Sequence, residues 1–534
     1  MDSLIIPFRL PSDCVREVIY HLPGDYNALF SCALVNRSWC RFTIPLLWSD
    51  VFSSNIPSDK KVKVIPAYVK CLSEIQRQTL INNNITLQED FIPALFNYPK
   101  YLKFLNCRYF DNALYYWCKA VIKPDTDNTE FQNILHICNQ VISQYILSNS
   151  IGLHTLFLSP HSKDETCTMR LLPDTCDEGI YRAFSKLTEL HIENWFSMTA
   201  QNISTILLIL EKLSLYSHYI QKLVIIFNQS SDPIYQQEVI EHLSLLINSQ
   251  YNLQSFTIKF PYNSNSQSSL SLPALSSQSD SLKYLEISKF CDIPLLIPYL
   301  TSVNLETLNL IFYHVRTQFE PSALPSLPSG TQFRIKNLII SGTHYPMLYS
   351  SFSLIVKMSG SNLEKISIKV CDETIRNAIG EYCSNLTSLT IMVDFTMFEQ
   401  FLNLLSKLKK LKYLDIEKKL NDIQLTKEMV LEFTKIIPNT LEELNFDLVI
   451  NQEHFNEFLK ELKVPLSKLT IHLSALNDET LNFIVDYAIR TGKLKELCFD
   501  ATNSLTEEAL SKAKDVILII TDITEDDMGF GLFD

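Results

Sequence analysis

The sequence predicts an α/β solenoid in which a curved parallel sheet carries helices on its convex side. Three observations predict this fold class. One spacing of apolar residues recurs thirteen times along the 534-residue chain. Several segments between the copies have helical periodicity. The chain is also too long for one compact core, so it must either divide into domains or extend its core along an array.

The recurring spacing is an apolar residue, two variable residues, an apolar residue, one variable residue and an apolar residue. Its last three positions alternate as a half-buried strand does. Segments from Asp372, Thr426 and Asn477 instead place a polar residue before apolar residues at intervals of three and four, which is typical of a capped helix. Each repeat of about 28 residues therefore holds one strand and one helix. The thirteen copies begin at Leu153, Leu187, Ile220, Leu253, Leu282, Leu305, Ile335, Leu363, Leu386, Leu411, Leu441, Leu466 and Leu494.

This unit resembles the leucine-rich repeat in its longer-period form, and the array is assigned to residues 151–518. One unit cannot bury its own apolar side, whereas stacking buries each leucine against its equivalents, at about 1.5 to 3 kcal/mol per side chain. An acidic tail is predicted for residues 519–534. Loops are predicted for the serine-rich stretch from Tyr262 and the proline-rich stretch from Pro321. The alternative fold is an all-helical solenoid, which contains no strands.

The first fifty residues have a different pattern, which predicts three short helices. Ser12 is a candidate cap for the first helix, and a second apolar helix is predicted from Ala28 to Val35. The apolar stripe of the first helix consists of Val15, Val18, Ile19 and Leu22. A segment this small has too small a hydrophobic core to be stable alone, so we expect it to pack against another part of the chain or against a partner.

This segment resembles the F-box over residues 8–52. The matching residues are Leu10-Pro11, Asp13, the helix to Leu22, the stretch from Leu34 to Trp39, and Leu47-Trp48. The resemblance implies docking on the Skp adaptor, and through it on a cullin/RING ubiquitin ligase. The adaptor contacts that it implies are Leu10, Pro11, Val15, Ile19, Leu22, Leu34, Val35 and Trp39. Where many relatives have an aspartate-leucine pair before the second helix, this chain has Asn27-Ala28-Leu29.

One alternative and one further prediction concern the N-terminal part of the chain. Residues 1–52 could instead be the N-terminal cap of the solenoid, with the same apolar side chains buried within the chain. Residues 55–150 are predicted to be a helical bridge that caps the sheet. The segment at Tyr101 matches the repeat spacing weakly, as a degenerate first copy.

The variable positions of each repeat predict a substrate-binding surface. The third, fifth and seventh residues of each copy point out of the concave sheet, because side chains alternate between the faces of a strand. The candidate contacts are Tyr284, Lys365, Lys369, Tyr413, Asp415, Glu417, Glu443, Asp447, Lys468, His472, Glu496 and Asp500. Six carboxylates among them favour a basic peptide or basic loop as the target. The alternative is that an acidic chain displays acids everywhere without selecting a partner.

Composition argues against several other functions. The net charge of −13 opposes binding to nucleic acids and anionic membranes, and no apolar run is long enough to span a bilayer. Only 10 glycines occur, and none cluster as phosphate-binding loops require. The 13 cysteines are scattered without a C-x-x-C pair, which predicts a reducing compartment, the cytoplasm or nucleus. Because the histidines also show no metal-ligand spacing, we expect no metal, no cofactor and no enzymatic activity.

Together with the F-box resemblance, these observations indicate a substrate-recognition adaptor of an SCF-type E3 ubiquitin ligase. The repeat surface would hold a protein target while partner proteins transfer ubiquitin to it. The alternative is a leucine-rich-repeat scaffold or inhibitor with no link to a ubiquitin ligase.

Overall fold

The computed structural model of the chain divides into two compact units, residues 1–281 (unit 1) and 282–534 (unit 2), which are considered in turn. It describes residues 11–22, 24–83, 85–87, 92–122, 128–159, 178–193, 200–227, 233–260, 272–288, 293–312, 324–328, 330–342, 348–369, 372–393, 397–418, 425–447, 450–472, 476–500 and 505–523. Leu10 and the first part of the serine-rich stretch from Tyr262 lie outside these residues.

Unit 1 begins with the three helices that the sequence predicts: α1 (Ser12–Tyr20), α2 (Tyr26–Val35) and α3 (Arg37–Leu47). Asn36 ends α2 and begins α3, because its side chain accepts hydrogen bonds from the backbone N–H groups of Ser38 and Trp39. The predicted cap of α1 is wrong. Ser12 is the first helical residue, the capping position is Pro11, and no side chain caps this helix. The fixed φ of proline, here −54°, suits that entry position.

Residues 55–150 are mainly helical, as predicted, but they also contain a strand. The helices are α4 (Ser58–Val62), α5 (Val64–Val69), α6 (Glu74–Asn82), α7 (Cys107–Val121) and α8 (Asn128–Asn149). The strand is β1 (Phe104–Asn106), at the weak match near Tyr101, and it pairs in parallel with β2 (Thr155–Leu158). The degenerate copy is therefore the first strand of the array.

Strands and helices alternate through the rest of unit 1. The strands after β2 are β3 (Glu189–Glu193), β4 (Lys222–Ile226) and β5 (Ser255–Lys259), and β1 to β5 pair in parallel in chain order. The helices are α9 (Glu178–Phe184), α10 (Ala200–Tyr216), α11 (Pro233–Asn248) and α12 (Leu272–Ser276). The last of these lies in the serine-rich stretch, so the prediction of a loop throughout that stretch is wrong.

The described residues of unit 2 contain ten strands that also pair in parallel in chain order. They are β6 (Tyr284–Ser288), β7 (Thr307–Phe312), β8 (Asn337–Gly342), β9 (Lys365–Ile368), β10 (Ser388–Val393), β11 (Tyr413–Lys418), β12 (Glu443–Phe446), β13 (Lys468–Ile471), β14 (Glu496–Asp500) and β15 (Ile519–Ile523). The helices are α13 (Ile293–Leu300), α14 (Tyr349–Ser359), α15 (Glu373–Tyr382), α16 (Phe398–Lys407), α17 (Lys427–Ile436), α18 (Gln452–Glu461), α19 (Asp478–Thr491) and α20 (Glu507–Lys514).

The predicted fold class is confirmed, since every one of the thirteen spacings leads into a strand that begins two residues after its first apolar residue. The alternative of an all-helical solenoid is thereby excluded. The start of the predicted acidic tail is wrong, because residues 519–523 form β15 and pair with β14. The sequence obscures this strand because Asp522 occupies the sixth position of the spacing that begins at Ile517, where the other copies have an apolar residue.

The core lies between the strands and the helices. The first apolar residue of every copy is at most 4% exposed. In unit 2 a group of phenylalanine rings joins helices to the sheet, with Phe433 of α17 stacked on Phe458 of α18 and both beside Phe446 of β12. Such burial is the main stabilising term of a stacked array. In the described parts of the chain, no helix has the length and apolar character needed to cross a membrane.

Candidate protein-binding surfaces

The first candidate surface lies on the N-terminal helices of unit 1. Val15 and Ile19 of α1 form their small core with Leu29 of α2, and these residues are 3%, 1% and 1% exposed. The side chains packed against this core are Leu22, Trp39, Phe42, Leu46 and Leu47. Among the predicted adaptor contacts, Val15 and Ile19 are therefore interior residues that hold the three helices together, and they offer no surface to a partner in this structure.

One side of α2 is apolar and exposed. Phe30, Leu34 and Val35 are 61%, 71% and 58% exposed, whereas Leu29 of the same helix is buried; we call the three exposed residues the α2 patch. A helix that is apolar all round is normally buried on every side, and α2 is buried on only one. Two predicted adaptor contacts, Leu34 and Val35, belong to the patch. Sequence reasoning missed Phe30, although its spacing of four residues from Leu34 indicates the same side of the helix.

The other predicted adaptor contacts that the structure describes differ in their exposure to solvent. Pro11 is exposed, and Leu22 and Trp39 are half-buried against the small core. Tyr20 of α1 is 58% exposed and adds to the apolar surface of these helices. An apolar surface on so small a core is characteristic of a segment that packs against another chain.

The second candidate surface is the face of the strands of unit 2 that lies opposite the helices, which we call the outward face. Strand pairing places the third positions of the repeats in one row, with Lys365, Ser388, Tyr413, Glu443, Lys468 and Glu496 side by side. The fifth positions form a second row of Ser367, Thr390, Asp415, Asn445, Thr470 and Cys498. The fourth and sixth positions, such as Leu414 and Ile416, point to the other face of the strands and are fully buried.

Glu496 and Glu417, two of the predicted carboxylates, form ion pairs with lysines of this chain. The Lys468 ammonium lies 2.6 Å from the Glu496 carboxylate on the next strand. The Lys369 ammonium lies 3.2 Å from the Glu417 carboxylate and reaches it across β10, since Lys369 follows β9 and Glu417 belongs to β11. The charge of the outward face is thus lower than a count of its acids suggests. The side chain of Asp500 lies outside the described residues.

Asp415 is the most buried of these acids, at 4% exposure. Its Oδ1 atom has no hydrogen-bond partner, and neither has Oδ1 of Asn445 directly opposite on β12. Burial raises the pKa of Asp415 to about 6 and the Glu417 carboxylate adds to this, while a hydrogen bond from Thr390 and the nearby His472 and Lys369 oppose the rise. The site therefore combines a desolvated carboxyl group, Asp415, with an adjacent amide oxygen, Oδ1 of Asn445, that accepts no hydrogen bond.

The two predicted aromatic anchors interact with the acids beside them. Burial raises the pKa of Tyr413, and a hydrogen bond to Asp415 and the charge of Glu443 raise it further. Tyr284 donates a hydrogen bond of 2.6 Å to Glu286, and burial together with that bond raises its pKa. Both phenols therefore serve as hydrogen-bond donors to carboxylates of the same face.

Several residues of this surface were absent from the sequence-based selection. Thr390, Asn445 and Glu286 line the fifth-position row, and their place in the repeat spacing would have identified them. Asn445 is uncharged, so a search for charged positions passes over it. Within the described ranges, no group of three or more His, Cys, Asp and Glu side chains is arranged to hold a metal ion.

Comparison with known proteins finds solved structures that align with part of this chain. No protein-family model and no curated protein sequence matches it. The Rad7 and Elc1 complex of yeast aligns over 62% of this chain and 80% of its own, with a TM-score of 0.38 and 14% identity. The leucine-rich repeat-containing protein LegL7 of Legionella pneumophila aligns over 61% and 95%, with a TM-score of 0.34 and 10% identity.

A protein of Bacteroides fragilis aligns over 52% of this chain with a TM-score of 0.27 and 16% identity, and the chain spans 66% of its length, just under two thirds. Likenesses at these TM-scores carry no argument about function. The fold assignment rests instead on the strand order and the thirteen repeat spacings of the chain itself.

Proposed function

We propose that this chain is the substrate-recognition subunit of an SCF-type E3 ubiquitin ligase. The N-terminal helices dock on a Skp-type adaptor, and the outward face of unit 2 binds the protein to be modified. Other subunits transfer the ubiquitin, and this chain contributes proximity and performs no bond-making itself. The α2 patch is the observation that carries the proposal.

The α2 patch supports docking because exposed apolar area on a small helical core is costly unless a partner covers it. Phe30, Leu34 and Val35 suit insertion into an apolar groove, in which anchors on one side of a helix provide most of the binding free energy. The resemblance of residues 8–52 to the F-box supplies the identity of the partner. Val15 and Ile19 serve this function indirectly, by fixing the helices from the inside.

The outward face supports recognition of a protein target. Its rows of polar and charged side chains stand on a rigid parallel sheet, which positions them without further ordering on binding. The alternative function, a leucine-rich-repeat scaffold or inhibitor without a ubiquitin ligase, uses the same face. The two functions differ in whether the N-terminal helices bind the adaptor.

Co-expression of the tagged full-length chain with a Skp-type adaptor tests the proposal. We expect the two proteins to co-purify. The triple variant Phe30→Ala, Leu34→Ala and Val35→Ala should lose the adaptor, with an affinity at least about tenfold lower, since truncation of interface anchors commonly costs more than 1 kcal/mol each.

The control variant carries Leu215→Ala and Leu245→Ala, two exposed leucines on the repeat helices, which are 59% and 56% exposed. It should retain the adaptor. Failure of the wild-type chain to bind any Skp-type adaptor, or undiminished binding by the triple variant, would favour the scaffold or inhibitor instead.

A further inference from the structure

The outward face contains two neighbouring hydrogen-bond acceptors that receive no donor. Asp415 and Asn445 are register partners on β11 and β12, and Oδ1 of each is buried without a partner. A carboxylate oxygen and an amide oxygen both accept hydrogen bonds and cannot satisfy each other. Two such acceptors side by side match a group that presents several N–H donors and a positive charge.

A cation of this chain already lies beside the same acids. Lys369 is 46% exposed at its side chain and reaches over β10 to pair with Glu417, which stands two residues beyond Asp415 on β11. The charge of Lys369 also acts on Asp415, whose pKa it lowers. An ion pair this exposed contributes little to stability. Replacing Lys369 with another cation at Glu417 therefore requires little free energy.

We propose that Asp415, Glu417 and Asn445 form a subsite for a lysine or arginine side chain of a bound protein segment, and that Lys369 occupies this subsite in the free chain. The incoming side chain replaces Lys369 at Glu417 and donates hydrogen bonds to the open oxygens of Asp415 and Asn445. No covalent bond changes. The inference rests on the proposed function in taking a protein segment as the ligand of the outward face.

Burial of Asp415 favours the incoming cation and makes its binding depend on pH. Its carboxyl group has a raised pKa because it is desolvated, and a cation that arrives with its own donors stabilises the ionised form. Affinity for the cation should accordingly increase as the pH rises through about 6. The groups that face Asp415 are Tyr413 and Glu417 on its own strand, Thr390 on β10, Lys369 after β9, Asn445 on β12 and His472 after β13.

The variant Asp415→Asn isolates this effect, because the pH dependence that comes from the Asp415 carboxyl group is absent from it.

Fluorescence anisotropy of a labelled nine-residue peptide of alternating serine and arginine tests the inference on the full-length chain. A second peptide with every arginine replaced by neutral citrulline is the ligand control. We expect the wild-type chain to bind the arginine peptide and to bind the citrulline peptide at least about tenfold more weakly, as for the loss of a charge-assisted hydrogen bond.

Two variants then distinguish the subsite from general attraction to an acidic protein. Lys369→Met empties the subsite and should tighten binding by roughly three- to tenfold, whereas Asp415→Asn should weaken it by about tenfold. The matched controls are Lys435→Met and Glu432→Gln, which change the same charges on exposed positions of α17. They should change the affinity less than about twofold.

Three outcomes would overturn the inference: equal effects of Lys369→Met and Lys435→Met, equal effects of Asp415→Asn and Glu432→Gln, or no measurable binding of the arginine peptide by either the wild-type chain or Lys369→Met. Circular dichroism and melting temperature confirm that each variant is folded. Adaptor co-purification is measured on the same preparations. Loss of the cation effect with an intact adaptor complex refutes the subsite alone, whereas peptide binding without an adaptor complex refutes the proposed ligase.

Discussion

Asp415 and Asn445 lie directly opposite each other on β11 and β12, and each retains one buried oxygen that accepts no hydrogen bond. Most buried polar atoms in proteins are satisfied, so two exceptions at adjacent positions call for an explanation. The cost of keeping Asp415 ionised there has consequences for stability as well as for binding.

The first prediction concerns the pH dependence of that cost. The folded-state pKa of Asp415, about 6, lies above its ordinary value of 3.8, so the folded chain holds the proton to higher pH than the unfolded chain. Stability is therefore lost as the pH rises through this window, and the full cost is present above it. Asp415→Asn should raise the free energy of unfolding by about 1 to 3 kcal/mol at pH 7.5 and by almost nothing at pH 4.

Urea unfolding followed by circular dichroism at the two pH values measures this difference. The exposed Glu432→Gln variant is the control, and it should show no comparable dependence on pH. A destabilised Asp415→Asn at pH 7.5 would contradict the assignment of Asp415 as a desolvated acid.

The second prediction concerns the aromatic group behind β12. Phe433 contacts the rings of Phe398, Phe401, Phe446 and Phe458, and it is 1% exposed. Phe433→Ala should lower the free energy of unfolding by about 3 to 5 kcal/mol, because it removes a large buried side chain and leaves a cavity. Phe30→Ala, at an exposed phenylalanine, should change it by less than about 0.5 kcal/mol. Thermal unfolding of both variants checks the contrast.

The third prediction concerns Gly342 at the end of β8. Its φ is +118°, and a Cβ atom there would overlap the carbonyl oxygen of Phe312 on the neighbouring strand. Gly342→Ala should destabilise the chain by about 2 kcal/mol or more, since both the backbone conformation and the steric overlap oppose a side chain. Gly330 also has a positive φ but open space around it, so Gly330→Ala should cost distinctly less. Comparable melting temperatures for the two variants would argue against this packing.

The fourth prediction concerns the junction of α2 and α3. Asn36 Oδ1 accepts hydrogen bonds of 2.9 Å and 3.1 Å from the N–H groups of Ser38 and Trp39. Asn36→Ala should destabilise the N-terminal helices by about 1 kcal/mol and weaken adaptor binding, because the α2 patch then loses its orientation. Asn36→Asp keeps an acceptor at the cap and should restore both properties. Isothermal titration of the adaptor into each variant provides the measurement.

The fifth prediction concerns capture of a target on the outward face. Under the proposed function, we expect the full-length chain with the triple alanine change in the α2 patch not to dock on the adaptor, and therefore to retain its targets. Adding Glu443→Lys and Asp447→Lys should reduce the protein retained from a lysate, because reversed charges repel a basic segment. Glu432→Lys and Glu461→Lys, on the helices, form the matched control. Mass spectrometry identifies the retained proteins. Loss of the same proteins from the Glu443→Lys, Asp447→Lys variant and from the control variant would contradict the prediction.

The repeat spacing determined most of the fold without any tertiary information. Alternating apolar positions define strands and buried leucines locally, and a leucine at a fixed position can be buried only against its equivalents. The helices that begin at Glu373, Lys427 and Asp478 could also be predicted from the sequence, because a polar cap and an apolar stripe are local features. The spacing did not identify β15, where Asp522 interrupts the pattern and backbone pairing with β14 establishes the strand.

The candidate surfaces divide in the same way. The positions on the outward face followed from the strand period of two, and those of the α2 patch from helical spacing. The burial and the partners of each side chain depended instead on neighbours far away in the chain. Lys369 and Glu417 meet only because stacking brings β9 and β11 to either side of β10. Whether Val15 is a contact or a core residue depended on how α1 packs against α2 and α3. Periodicity determines which face a side chain belongs to, whereas its burial, partners and pKa arise from the three-dimensional packing of segments that are distant in sequence.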